Sequence, residues 1–145
     1  MRWIKDIVEE LHAKHTTSNP FEVASLLKIE VLFWDLHEEI NGFYKYDRRT
    51  KYIVINNNLS EEMQRIVCAH ELGHAVLHPR ANTTFMRKNT LLSVDRIEVE
   101  ANIFAAELLI SDESLFKCTH STISKIASLH SVPTEIAMLK CKGLF

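Results

Sequence analysis

The sequence predicts an α+β protein in which a small antiparallel sheet of three strands packs against helices that precede and follow it. Three observations lead there. Apolar residues recur at helical spacing near the N-terminus. Three runs rich in β-formers crowd into residues 29–56. Two long helical patterns, one carrying histidines and the other glutamates, then fill residues 60–110.

Trp3, Ile4, Ile7, Val8 and Leu11 share one face of the first helix, with Lys5, Asp6, Glu9 and Glu10 opposite. Asn19 can cap a second helix whose first residue is Pro20 and which runs to about Lys28. Ile29–Leu36 reads as a strand. Asn41-Gly42 is a turn signal, Phe43–Tyr46 a short strand, Asp47–Thr50 a turn, and Lys51–Asn56 the clearest strand in the chain. Ser60 starts the third helix, which ends at Pro79. A polar loop follows over Arg80–Ser93, then a buried helix over Val94–Ile110. Two short helices lie within residues 121–142. The expected organisation is one domain: N-terminal helices in 1–28, sheet in 29–56, two central helices in 60–110 and a helical pair in 121–142.

At 145 residues the chain can bury roughly 68–70% of its unfolded surface, enough for a core without disulfides. Its composition, 46% hydrophobic and 25% charged, is that of a soluble globular protein. A net charge of −2 gives no global attraction to nucleic acid or to an anionic membrane. Cys68, Cys118 and Cys141 form no Cys-x-x-Cys pair and suggest neither a disulfide framework nor a thiolate metal knuckle. The N-terminus is charged too early for a signal peptide, and no run is long enough to span a bilayer. The expected location is the cytoplasm.

The chemistry sits in Cys68-Ala69-His70-Glu71-Leu72-Gly73-His74-Ala75-Val76-Leu77-His78-Pro79. His70 and His74 are one turn apart on one helix face, so both imidazoles can reach one zinc ion at about 2.0–2.1 Å. Glu71 lies about 100° round the helix and can act as a base toward a water beside that ion. Gly73 costs about 1 kcal/mol against Ala within a helix. A small residue there lets another element approach closely. Cys68 is about 200° from His70 and reads as a core thiol.

A catalytic zinc usually takes three protein ligands and a water. A third histidine six residues after His74 is excluded, because that position holds Arg80, and Leu77 stands where the accompanying glycine would be. The later helix offers Glu98, Glu100 and Glu107 instead. Ala69–His78, followed by Glu98-Val99-Glu100-Ala101-Asn102-Ile103-Phe104-Ala105-Ala106-Glu107-Leu108-Leu109, resembles the ImmA/IrrE family of metallo-endopeptidases. The likeness reaches upstream to Asn41-Gly42-Phe43-Tyr44 and Ile53-Val54-Ile55-Asn56, and covers about residues 15–140.

That resemblance implies a compact zincin-like fold of the glutamate-ligand (gluzincin) type, binding Zn2+. It implies His70 and His74 as ligands and Glu71 as the catalytic base. It selects Glu98 over Glu100 as third ligand, four residues before Asn102, which shares the Glu98 face and whose amide can orient the Glu98 carboxylate. Glu107 recurs in the family and reads as an orienting or structural group. His78, one further turn along, reads the same way. Tyr44, Tyr46 and His78 are candidates for stabilising the oxyanion. The family's usual proline after the Glu98 helix is replaced by Leu108-Leu109-Ile110-Ser111-Asp112, which bears on where the helix stops.

The implied activity is cytoplasmic cleavage of a protein substrate, a helix-turn-helix repressor of a phage or mobile element, by zinc-activated water. The rival reading is a zinc-containing module that binds such a repressor without cutting it. A peptide substrate could add as a strand to the sheet along Lys51–Asn56. Residues 121–142 loosely suggest a helix-turn-helix, but Thr134–Lys140 offers little to read base edges with. Direct nucleic-acid binding is therefore not expected.

Overall fold

A computed structural model of the chain describes residues 1–86, 95–118 and 120–143. Two helices lead the chain, α1 (Arg2–His15) and α2 (Pro20–Leu26). Ile4 and Val8 put the apolar stripe of α1 into the core. Asn19 caps α2 as expected, its Oδ1 accepting from the Phe21 and Glu22 amides at 2.9 and 3.4 Å.

The strands are β1 (Glu30–Trp34), β2 (Ile40–Asp47), β3 (Thr50–Asn56) and β4 (Thr84–Met86), in the spatial order β1-β3-β2-β4. Among the described residues the sheet therefore has four strands, not three. It is also mixed, because β1 runs parallel to β3 with Val31 opposite Ile53 and Leu32 opposite Val54. The short link between β1 and β2 carries the chain past the slot that β3 fills. Asn56, at the end of β3, holds that link: its amide donates to the carbonyls of Leu36, His37 and Ile40 at 3.3, 3.3 and 2.9 Å.

Asn41-Gly42 is no turn but lies inside β2. Gly42 is needed there for close approach. A Cβ at that position would lie 2.6 Å from the Val54 carbonyl oxygen and 2.8 Å from Val67 Cγ1 on the helix beneath. The β2–β3 hairpin turns at Arg48-Arg49, both with positive φ. Of the loop expected over Arg80–Ser93, residues 84–86 form β4, pairing antiparallel with β2. Residues 87–93, like Val94 of the expected helix start, lie outside the described residues.

Two helices form the centre, α3 (Glu61–Leu77) and α4 (Arg96–Leu109). Ser60 Oγ accepts from the Met63 amide at 3.2 Å, and Asp95 caps α4 through the Ile97 amide at 3.1 Å. The middle of α3, Ile66 through Ala75, is buried without interruption. At its C-terminal end Lys51 Nζ donates to the Ala75 carbonyl at 2.9 Å, satisfying an acceptor the helix leaves open.

Gly73 lies where α3 meets α4. A Cβ there would lie 3.1 Å from Ala101 Cα, from the Ala101 carbonyl oxygen and from Phe104 Cβ. The two helices touch nearly backbone to backbone. Gly73→Val should lower stability by about 2–3 kcal/mol, since overpacking outweighs any gain in helix propensity. A urea titration would read this as a lower midpoint at unchanged m-value.

Three short helices follow: α5 (Asp112–Phe116), α6 (Ile123–Leu129) and α7 (Thr134–Lys142). With no proline after α4, the chain turns at Ile110 in extended conformation, and Ser111 caps α5. α7 buries Ile136, Ala137 and Lys140. Lys140 Nζ donates to both Glu107 oxygens at 2.8 and 3.1 Å and also pairs with Asp112. Lys5 of α1 reaches the other Asp112 oxygen at 2.6 Å. Burial alone would raise the Asp112 pKa, but hydrogen bonds from Lys140 and Lys5 outweigh it and hold it below the usual value. Among the described residues no helix is long and apolar enough to cross a membrane.

Candidate metal centre

α3 carries His70, Glu71 and His74 into the interior, all three fully buried. Helical spacing places the two imidazoles one above the other with their Nε2 atoms 3.2 Å apart. From α4, Glu98 reaches across so that one carboxylate oxygen is 3.0 Å from His70 Nε2 and the other 3.0 Å from His74 Nε2. The close approach at Gly73 makes that reach possible. Donors bound tetrahedrally at about 2.0–2.1 Å from one ion sit about 3.3 Å from each other. The spacing of these atoms fits one small cation of the zinc type, and among the described residues they are the group that could hold a metal.

A second observation points the same way. Both oxygens of Glu71 are buried and find no hydrogen-bond partner among the described residues. An unpaired buried carboxylate costs several kcal/mol, so its retention asks for a ligand or a reaction. Burial, and then the Glu98 charge, push its pKa well above the ordinary range. That is the direction a general base for neutral pH needs. Burial lowers the His74 pKa, which favours the neutral imidazole that binds metals, although Glu98 opposes this. For Glu98, burial works upward, but hydrogen bonds from His70 and His74 outweigh it and bring the value down to about 2. Glu98 is thus held as a carboxylate.

The outer nitrogens of the two histidines also have partners. His70 Nδ1 lies 2.7 Å from Asn102 Oδ1, so the amide one turn after Glu98 on α4 meets a histidine, where the sequence suggests the Glu98 carboxylate. His74 Nδ1 lies 3.0 Å from His78 Nδ1. His78 Nε2 in turn meets Glu100 at 2.7 Å. Glu100, about 200° from Glu98 on α4, is therefore occupied by His78 and is not among the converging donors. Glu107 points to Lys140 instead of the histidines. Cys68 is a buried core thiol whose pKa burial, and then Glu71, raise.

Tyr44 is buried, and its hydroxyl donates to the Pro79 carbonyl at 2.6 Å. Burial, and then Tyr46, push its pKa up to about 12. The hydroxyl therefore fixes the chain just after α3. Tyr46 uses its main-chain amide to bind Asn82 Oδ1 at 2.7 Å. Sequence reasoning missed Phe85, whose ring stacks on His70 with centroids 3.9 Å apart. Its only signal was one aromatic residue within a polar stretch.

Comparison with known proteins supplies a family for the chain. The profile of the peptidase family described as the IrrE N-terminal-like domain matches residues 24–142. The chain is 57% identical over 139 residues to a protein of Bacillus phage phi105 named uncharacterized immunity region protein 2, a match covering 94% of this chain and 88% of that one. It is 36% identical over 112 residues to the metallopeptidase ImmA of Bacillus subtilis (strain 168), covering 77% of this chain and 66% of that one. An α+β chain with this donor set and these relatives belongs to the ImmA/IrrE family of metallopeptidases.

Proposed function

We propose that this chain is a zinc-dependent endopeptidase of zincin-like, glutamate-ligand type, which cleaves a cytoplasmic helix-turn-helix repressor of a phage or mobile element. The observation that carries the chemistry is the convergence of His70, His74 and Glu98 beside the unpaired Glu71 carboxylate. The names of the relatives, an immunity region protein and a metallopeptidase, support the biological setting.

His70 and His74 would hold the ion through Nε2, and Glu98 through its carboxylate. Zinc bound there would polarise a scissile carbonyl and lower the pKa of a water toward about 7. Glu71 takes the proton of the attacking water and passes it to the leaving amine. Its buried setting keeps it from hydrogen bonds that would compete. Neutral acceptors facing the outer nitrogens of the histidines, Asn102 Oδ1 for His70 and His78 Nδ1 for His74, orient the two rings.

Strand addition along Lys51–Asn56 does not fit this fold, because β3 is paired on both sides. β4 is the better docking edge for an extended peptide. Among the described residues it ends the sheet, and its Phe85 lies against His70.

Purified chain incubated with zinc and a helix-turn-helix repressor encoded beside it should yield two fragments. A chelator should stop cleavage, and added zinc should restore it. Repressor that stays whole while bound to the zinc-loaded chain would replace hydrolysis with sequestration.

A further inference from the structure

We propose that His78 and Glu100 are positioning residues, forming a relay that holds the metal-facing ring of His74. The proposal rests on the reading of His74 as a metal ligand. The two histidines it concerns are held in different ways. His70 Nδ1 rests on a neutral amide, Asn102 Oδ1, at 2.7 Å. His74 Nδ1 rests on a second imidazole, His78 Nδ1, at 3.0 Å, and that imidazole ends on the Glu100 carboxylate at 2.7 Å.

Proton bookkeeping leaves one consistent arrangement. A ring that offers the Nε2 lone pair inward carries its proton on Nδ1. His74 therefore donates through Nδ1. The facing His78 Nδ1 must accept, which puts the His78 proton on Nε2. That proton points at Glu100 Oε1, and an ionised carboxylate only accepts. Each donor in the series meets an acceptor, and a negative charge sits at the far end.

The backbone explains how His78 reaches this position. It is not the next turn of α3 but its C-cap, with φ −132° and ψ 57°. Its amide still donates to the His74 carbonyl at 2.7 Å while its ring swings back toward the His74 ring. Lys51 on Ala75 and Tyr44 on Pro79 hold the main chain on both sides of it. Glu100 is itself 5% exposed, and its other oxygen lies 3.6 Å from Arg96 Nε. A buried carboxylate with one committed imidazole partner is built to orient that partner.

The test is zinc affinity, measured by competition against a chromophoric chelator, together with the visible absorption of the cobalt-substituted protein. Groups that orient metal-binding histidines change affinity by about 10–100-fold. His78→Ala and Glu100→Ala should each weaken zinc binding by about that factor and shift the cobalt spectrum. The double variant should be no weaker than either single one, since both break the same relay. His78→Gln, whose amide can accept from His74 and donate to Glu100, should recover most of the affinity, and serves equally if His78→Ala fails to fold. Unchanged affinity and spectrum in folded His78→Ala and Glu100→Ala would overturn the relay. So would complete loss of metal in Glu100→Ala, which would make Glu100 a ligand. Wild-type protein that binds neither zinc nor cobalt would instead sink the metal reading beneath it.

Discussion

Glu71→Gln is expected to keep its zinc and to lose peptide cleavage by about 10²–10⁴-fold, the range that a positioned general base contributes. The substitution is nearly isosteric and leaves the donor atoms of His70, His74 and Glu98 untouched. What it removes is the group that takes a proton. The amide brings no charge into a fully buried position, whereas the carboxylate it replaces is desolvated and unpaired. The melting temperature of the variant should therefore not fall. Metal content by mass spectrometry, a cleavage assay and a thermal melt check the three parts. Loss of zinc together with activity would mean that Glu71 is itself a ligand.

The second large effect is on the metal. Glu98→Ala should reduce zinc from about one ion per chain to almost none after dialysis, because the two imidazoles left behind are a weak site for zinc. Glu100→Ala should keep near-stoichiometric zinc at micromolar protein, with only the weaker affinity expected from a loosened His74. Both glutamates lie on α4 two residues apart, so a helix turned by about 200° would exchange their roles. The 3.0 Å approaches of Glu98 to both Nε2 atoms favour Glu98. Zinc lost mainly from Glu100→Ala would require a different facing of α4 in solution.

The parts of this protein that were legible in its sequence are those governed by local rules. The cap at Asn19, the start at Ser60 and the buried course of α3 and α4 follow from residue type and a 3.6-residue period. The shared face of His70 and His74 is legible on the same grounds, whereas the choice of Glu98 over Glu100 comes from the family resemblance. Gly73 marks where α3 and α4 pack, since a Cβ there would lie 3.1 Å from Ala101, tighter than an ordinary contact.

What escaped depends on partners distant in the chain. Whether β1 runs parallel to its neighbour is settled by how the link held by Asn56 turns, not by the residues of β1. Asn41-Gly42 carries the composition of a turn, but its glycine is explained by Val54 and Val67. β4 is three residues long and gains its strand character from β2. The pairing of His78 with Glu100 needs both the break at the end of α3 and the angle of α4, and neither has a local signature.

The helix that opens the chain has a practical meaning for anyone trimming this protein. The segment that the family profile matches begins at residue 24, past the whole of α1. Yet Ile4 of α1 is completely enclosed, and Lys5 supplies one of the two ammonium groups that flank Asp112. A chain begun at residue 24 would leave an apolar trench along α4 and Asp112 with half of its counter-charge. The stretch that the family profile matches is shorter than the unit that shares this core, and boundaries for expression follow the second.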